Sequence, residues 1–460
     1  MGRPSAARDH TESGSGWQTD LCIFCPASSG LAHDVRLSLL KENMTSPIWH
    51  PFTQHALRPS LPLAAHAEGA YITMADGARV LDAISSWWVV THGHRHPRIV
   101  EAIKAQVDSL DQVIFAEFTH GPAESLAREL VAIAPEGLRH VFFSDSGSTS
   151  VEVALKMALG YWRHVGEPRH RLIVMEHGYH GDTVGAMSVG ARGLFTEAYD
   201  SLLFEVSRVP FPYGGREEAT FEALEELCRM GDVAAFIVEP LVLGAGGMLM
   251  YSTAALARMR GICAIHGVLF IADEVMTGWG RTGTRFACEQ AGIAPDIACY
   301  SKGLTGGTLP LAVTLCTHTI FAAHCSEDRR RTFFHSSSYT ANPIACAAAV
   351  ANIRIWETEP VLARIGALAA LQAKALDRFR DDRRFSGIRQ IGTITAMDLV
   401  TTDPGYLSGL GPRLQQVFRQ AGVLLRPLGN TIYVLPPYCV TADDIELIYK
   451  AIQVAASSVA

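Results

Sequence analysis

The sequence predicts an α/β architecture, with a large domain built on a mainly parallel sheet and a smaller α+β domain after it. Three observations carry this reading. Short apolar runs such as Leu172–Met175, Ala235–Val238 and Val268–Ala272 lack polar alternation, as strands covered on both faces do. Segments with apolar residues at helical spacing lie between such runs, so strand and helix alternate along the chain. From about residue 356 the texture changes: an Ala- and Leu-rich helix over 360–380, short strands near 388–399 and 422–435, and a last helix from Thr441.

Composition narrows the function. The 460 residues are 48% hydrophobic and 18% charged, which suits a large core and not a disordered chain. A net charge of −7 supplies no basic field and argues against a nucleic-acid partner. The 10 cysteines are scattered and read as reduced thiols, not a disulfide frame. Cys22 and Cys25 lie close together but lack the second ligand pair of a zinc site, so they read as tail thiols. No apolar run is long enough to span a bilayer, since Val233–Leu249 is interrupted by Glu239 and Pro240. With no charged-then-apolar leader, the expectation is a soluble cytoplasmic protein.

Residues 1–44 are Gly-, Ser- and Ala-rich without periodicity and are expected to be a leader that is either disordered or not native, with Met44 as the natural start in the second case. Residues 45–90 are then an N-terminal segment joining the small domain, 91–355 the large domain, and 356–460 the small C-terminal domain.

In chain order, Val141-Phe142-Phe143 is a buried strand that runs through Ser144-Asp145-Ser146-Gly147-Ser148 into a helix. That helix aligns Val151, Leu155, Ala158, Leu159 and Trp162 on one face. Gly147 and Ser148 at its start offer the free N–H groups and dipole that hold phosphate; simple capping by Ser148 uses the same geometry. After Leu172–Met175 comes His177-Gly178-Tyr179-His180-Gly181-Asp182-Thr183, where Tyr179 either stacks on a flat ring or fills the core. Val268–Ala272 ends at Asp273, beyond the carboxyl end of a strand, where open α/β sheets meet ligands. Alone, Asp273 reads as a cap or turn residue.

The run Asp296–Ser301 ends at Lys302. Lysine is rarely buried without a purpose, and desolvation favours the neutral, nucleophilic amine. Alone, Lys302 is equally a solvated loop residue. Together, Lys302 and Asp273 match the Schiff-base lysine and the pyridinium-facing acid of pyridoxal phosphate (PLP) sites.

Two other patterns compete. Gly278-Trp279-Gly280-Arg281-Thr282-Gly283 matches a dinucleotide fingerprint, but Asp273-Glu274 interrupt the strand end, and Pro295 and Asp296 follow in place of the expected arrangement. His92, His94 and His96 alternate as metal ligands could, but Gly93 and Pro97 favour an ordinary loop.

The strings Ser144–Ser148, Gly178–Gly181, Asp273-Glu274-Val275 with Gly278–Gly283, Ser301-Lys302-Gly303 and Ala341-Asn342-Pro343 occur in order. The chain resembles, from about residue 46 on, the class-III (omega) aminotransferases of PLP-dependent transferase fold type I. The resemblance implies that Lys302 binds PLP covalently and shuttles a proton, and that Asp273 pairs with the ring nitrogen. It also implies that Gly147 and Ser148 hold the phosphate, completed across a homodimer by Ser337 and Ser338, while Tyr179 stacks on the ring.

Trp49-His50-Pro51-Phe52, Ser85-Ser86-Trp87-Trp88, and Arg426-Pro427-Leu428-Gly429 followed by Tyr433 and Pro436-Pro437-Tyr438 narrow the resemblance. They are similar to the branch that passes an amino group from S-adenosylmethionine to 8-amino-7-oxononanoate in biotin synthesis. That implies substrate contacts from Phe52, Trp87, Trp88, Tyr179, Ser336 and Tyr433, with Arg426 gripping a carboxylate. Two departures stand out. Phe52 replaces a tyrosine, and His335-Ser336-Ser337-Ser338-Tyr339 replaces His-Gly-Pro-Thr-Phe, keeping the hydroxyl at Ser338. Omega-amino acid or diamine transamination, and lysine as donor, stay open. A nicotinamide oxidoreductase is the alternative from another class.

Overall fold

The computed structural model describes residues 46–57 and 60–459. The expectations for residues 1–44, including Cys22–Cys25 and Met44, lie outside the described residues. The chain divides into two compact units, Met1–Leu63 and Ala64–Ala460. The described part of the first holds one short turn of 3₁₀-helix, His55–Leu57, with Phe52 exposed.

The second unit opens with β1 (Ala64–Glu68), β2 (Tyr71–Met74) and β3 (Arg79–Asp82), joined antiparallel. Its centre is a seven-stranded sheet. In chain order its strands are β4 (Leu138–Ser144), β5 (Arg171–Met175), β6 (Ser207–Val209) and β7 (Val233–Val238). After the hairpin of β8 (Val242–Leu243) and β9 (Leu249–Met250) come β10 (Leu269–Asp273), β11 (Ile297–Tyr300) and β12 (Ala312–Thr317). The spatial order is β4-β12-β11-β10-β7-β5-β6. β12 lies antiparallel to both neighbours and every other pairing is parallel, so the sheet is mainly parallel as expected.

β12 itself was hard to foresee because Thr314 interrupts its apolar run. In the fold Thr314 is fully buried, and its hydroxyl donates to Ser150 O at 2.8 Å, which satisfies the polar group. The helix Gly147–His164 lies over this part of the sheet and buries Val151, Leu155, Ala158 and Trp162, with Leu159 half-buried beside them. Each fully buried large apolar side chain contributes about 1.5–3 kcal/mol. The N-cap is Ser146, which forms a capping box with Thr149, and not Ser148; the cap falls two residues earlier than the alternative reading of Ser148 required.

Past the helices Pro343–Thr358 and Val361–Leu376, β13 (Phe385–Ile391), β14 (Ile394–Leu399), β15 (Val423–Leu424) and β16 (Thr431–Val434) follow, with a last helix at Ala442–Val459. β13, β14 and β16 form a three-stranded antiparallel sheet. β15 pairs parallel with β3, so a late strand joins the sheet of the three earliest ones. No described helix is long and apolar enough to cross a membrane.

The Gly278–Gly283 segment is a packing device. Arg281 is buried, and its guanidinium donates to Val90 O at 2.9 Å, Pro436 O at 3.0 Å and Trp88 O at 3.3 Å. A Cβ at Gly280 would collide with Ile365 and Trp356. The glycine therefore makes room for side chains, not for a pyrophosphate. Arg281→Met leaves three buried carbonyls unsatisfied and should cost about 3 kcal/mol. A lowered urea midpoint with an unchanged slope would show it.

Candidate active site

The carboxyl ends of the central strands open onto a cavity lined by Trp88, Gly147, Ser148, Tyr179, His180, Gly181, Glu239, Asp273, Val275, Met276 and Lys302. Residues from six separate stretches thus meet where a doubly wound sheet places ligands.

Asp273 is the last residue of β10 and is buried. Its Oδ2 accepts from His180 Nδ1 at 2.7 Å and its Oδ1 from Val275 N at 3.1 Å, so its orientation is fixed on both sides. Lys302 opens a short 3₁₀ turn after β11, two residues beyond the strand. It is half-buried where it borders the cavity. The surrounding protein desolvates the amine and pushes its pKa below the ordinary lysine value, while Asp273 and Glu239 pull the other way. Its Nζ lies 5.3 Å from the centre of the Trp88 ring.

Gly147 and Ser148 start the Gly147–His164 helix and line the cavity, so the helix N-terminus lies at its wall. A Cβ at Gly147 would stand 2.6 Å from Val275, and one at Gly181 would collide with Ser148. Ser148 Oγ accepts from Asp182 N at 3.2 Å.

Tyr179 is half-buried, and burial followed by nearby Asp182 raises its pKa well above the usual tyrosine range. Its backbone N–H donates to Glu239 Oε1 at 2.9 Å, and Glu239 Oε2 accepts from Gly244 N at 2.9 Å. Glu239 thus ties two wall loops together; burial pushes its pKa up to about 7.

Trp88 is held with unusual firmness. Ser85, Ser86 and Trp88 all have positive φ, which costs on the order of 1–3 kcal/mol each. Asp82 offsets this by accepting from Ser86 N at 2.8 Å and Ser86 Oγ at 2.9 Å, and Ser85 Oγ donates to Leu435 O at 2.8 Å. Trp88 Nε1 donates to the Tyr433 hydroxyl at 3.1 Å, so Tyr433 stands one layer behind the wall.

The sequence-predicted residues therefore separate. Lys302, Asp273, Gly147, Ser148, Tyr179 and Trp88 line one cavity. Arg426 does not border that cavity; its guanidinium is 5.2 Å from the centre of the exposed Trp87 ring and donates to the Tyr406 hydroxyl at 3.3 Å. Ser336 borders a different depression with Lys156, Phe333, Phe334 and His335. Ser337 Oγ donates to Asp145 Oδ2 at 2.5 Å, and Ser338 O accepts from Gln112 Nε2 at 2.7 Å.

His180 and Glu239 received no role from sequence. His180 was visible in the string around Tyr179, but its partner lies 93 residues away. Glu239 looked like a break in an apolar run. The alternating histidines diverge to separate partners: His92 to Asn352, His94 to Asp82 and His96 to Glu359. Among the described residues no cluster of three His, Cys, Asp or Glu side chains is placed to hold a metal ion.

A desolvated amine, a buried carboxylate and a glycine-lined helix N-terminus around one cavity define a PLP-dependent transferase site. Residues 53–456 match the aminotransferase class-III family, and the chain belongs to it. Within that class it is similar to the adenosylmethionine-8-amino-7-oxononanoate aminotransferase of Synechococcus elongatus. The two are 48% identical over 413 residues, covering 88% of this chain and 97% of the relative. The crystal structure of the Methanocaldococcus jannaschii protein of the same name superposes with a TM-score of 0.87 at 34% identity, covering 92% of this chain and 99% of that one. A PLP-bound amine transaminase from an uncultivated Pseudomonas species gives 0.85 at 34% identity, covering 91% and 100%. The cofactor is pyridoxal 5'-phosphate, and the glycine-lined cradle, Asp273 and Lys302 fit it.

Proposed function

We propose that this enzyme moves an amino group from S-adenosylmethionine to 8-amino-7-oxononanoate, forming 7,8-diaminononanoate in biotin synthesis. The observation that carries this reading is similarity to aminotransferases named for those substrates, 48% identical over 88% of the chain, in a protein that joins Lys302 and Asp273 in one cavity.

When bound, PLP supplies an electron sink for the carbon that loses its proton. Lys302 Nζ would hold the cofactor covalently, and its amine is the group placed to take up and return a proton at Nζ. Asp273 holds the proton at the ring nitrogen, and His180 fixes the carboxylate's angle. Gly147 and Ser148 bind the phosphate through the helix N-terminus. Ser337 and Ser338 complete that grip across a cytoplasmic homodimer, and Ser336 contacts substrate. Tyr179 would stack on the ring, and Trp88, backed by Tyr433, walls the substrate channel. Trp87, Phe52 and Arg426 serve the substrate, and the Arg426 guanidinium suits a carboxylate.

Omega-amino acids, diamines and lysine are the competing donors, and the amine transaminase of closely similar fold keeps the diamine reading in view. A donor panel separates them. S-adenosylmethionine should bleach the holoenzyme's visible absorbance, and added 8-amino-7-oxononanoate should restore it with diaminononanoate detected by mass spectrometry. Bleaching by putrescine or an omega-amino acid, with no diaminononanoate from either S-adenosylmethionine or lysine, would overturn the assignment.

A further inference from the structure

The amine at the centre of the site sits on a strained turn that is braced from behind the cavity. Lys302 has φ +47°, a left-handed conformation that costs a non-glycine residue about 1–3 kcal/mol. The turn continues through Gly306 and Gly307, also at positive φ. A Cβ at Gly303 would press on Trp279 at 2.7 Å, and one at Gly307 would collide with the Val89 carbonyl. Within the turn Gly303 O accepts from Gly306 N at 2.9 Å, which leaves the Leu304 carbonyl to a partner outside it.

Asn352 supplies the donor to Leu304 and adds a second one to Gly303. It is fully buried on the helix Pro343–Thr358. Its Nδ2 donates to Gly303 O and to Leu304 O, each at 3.0 Å, the two carbonyls that follow Lys302. With both amide hydrogens committed, Oδ1 is left to accept, and it receives His92 Nε2 at 2.9 Å. His92 must therefore carry its proton on Nε2, and this fixes which way the asparagine amide faces. Burial pushes the His92 pKa down to about 4, so the ring is neutral near pH 7 and keeps this one tautomer. No other uncharged side chain of asparagine's size presents two hydrogens to adjacent carbonyls and an acceptor to a third group.

We propose that Asn352, oriented by His92, is a positioning residue for Lys302: it holds the left-handed turn that keeps Nζ on the cavity wall beside Asp273. Neither residue borders the cavity. The inference rests on Lys302 carrying the cofactor and is indifferent to which amino donor is used.

The test uses PLP-loaded enzyme. Asn352→Asp keeps the shape but turns an acceptor toward two carbonyls; His92→Leu removes the orienting hydrogen bond; His92→Gln returns an N–H donor. Asn352→Asp and His92→Leu should keep bound PLP near one per chain, yet shift its visible spectrum and speed cofactor release by hydroxylamine about tenfold. In the half-reaction with donor, kcat should fall about 10–100-fold with KM within twofold, the scale of a misplacement near 1 Å. His92→Gln should recover most of both effects. Should Asn352→Asp fail to fold, the histidine pair still decides the matter through the hydroxylamine rate. A parent-like spectrum and hydroxylamine rate in His92→Leu would overturn the proposal. So would equal losses in His92→Leu and His92→Gln, which would mean general core damage. Because hydroxylamine reports on the linkage and not on the donor, a wrong substrate assignment shows up separately in the parent enzyme's donor panel.

Discussion

Lys302→Ala is expected to lower kcat by on the order of 10⁴-fold or more, because one side chain is both covalent anchor and proton carrier. Lys302 opens the turn after β11 and borders the cavity, with Asp273 and Glu239 close enough to influence its titration. An alanine there leaves the wall intact but removes the atom that attacks and the atom that moves the proton. Exogenous methylamine should restore part of the rate by supplying an amine in the vacated space, which would separate lost chemistry from lost structure. Wild-type-like turnover in Lys302→Ala would end the cofactor assignment.

The same residue makes a thermodynamic prediction in the apoprotein. Burial lowers the folded-state pKa of Lys302 below the ordinary lysine value of 10.5. Between the two values the unfolded chain binds more protons at this site than the folded chain does. Stability therefore rises as pH climbs through that window, and below it the site opposes folding most. Lys302→Met removes the titration, so the difference between parent and variant urea stabilities should shrink as pH rises toward the ordinary lysine range. A difference independent of pH would contradict the desolvation argument.

What could be read from sequence follows the physics of each signal. Leu172–Met175, Ala235–Val238 and Val268–Ala272 were legible because strands covered on both faces need apolar runs, and the fold places all three in the central sheet. β12 and the three-residue β6 were not: one hides a hydrogen-bonded threonine and the other is too short for a period. Lys302 and Asp273 were legible as strand-end residues, since topology carries such ends to one rim. His180, Glu239 and Asn352 were illegible because each acts through partners that are distant in sequence. Asn352 lies in an Ala-rich helical stretch and contacts Gly303, 49 positions away. The Gly278–Gly283 pattern shows the reverse case, in which a string that fits phosphate binding in one context serves packing around a buried arginine in another.

Asp273→Asn should cost about 10²–10⁴ in kcat, the range for removing a group that holds a proton where charge develops. The substitution is nearly isosteric. The asparagine oxygen can still accept from His180 Nδ1, replacing the 2.7 Å contact, so the fold should survive with little change in urea midpoint. What disappears is negative charge facing the ring nitrogen, and with it the ring's capacity to draw electrons from the reacting carbon. Two neighbours should report the loss. Asp273 helps raise the pKa of Glu239, now about 7, and also raises that of Lys302. Without that charge both pKa values should move down, and the acidic limb of the kcat profile should shift to lower pH if Glu239 contributes to it. A hydrogen-isotope effect on donor deprotonation should grow, since weakening the sink makes proton removal slower than the other steps. An Asp273→Asn enzyme with kcat within about threefold of the parent would mean that the carboxylate holds His180 in place and does nothing for the cofactor.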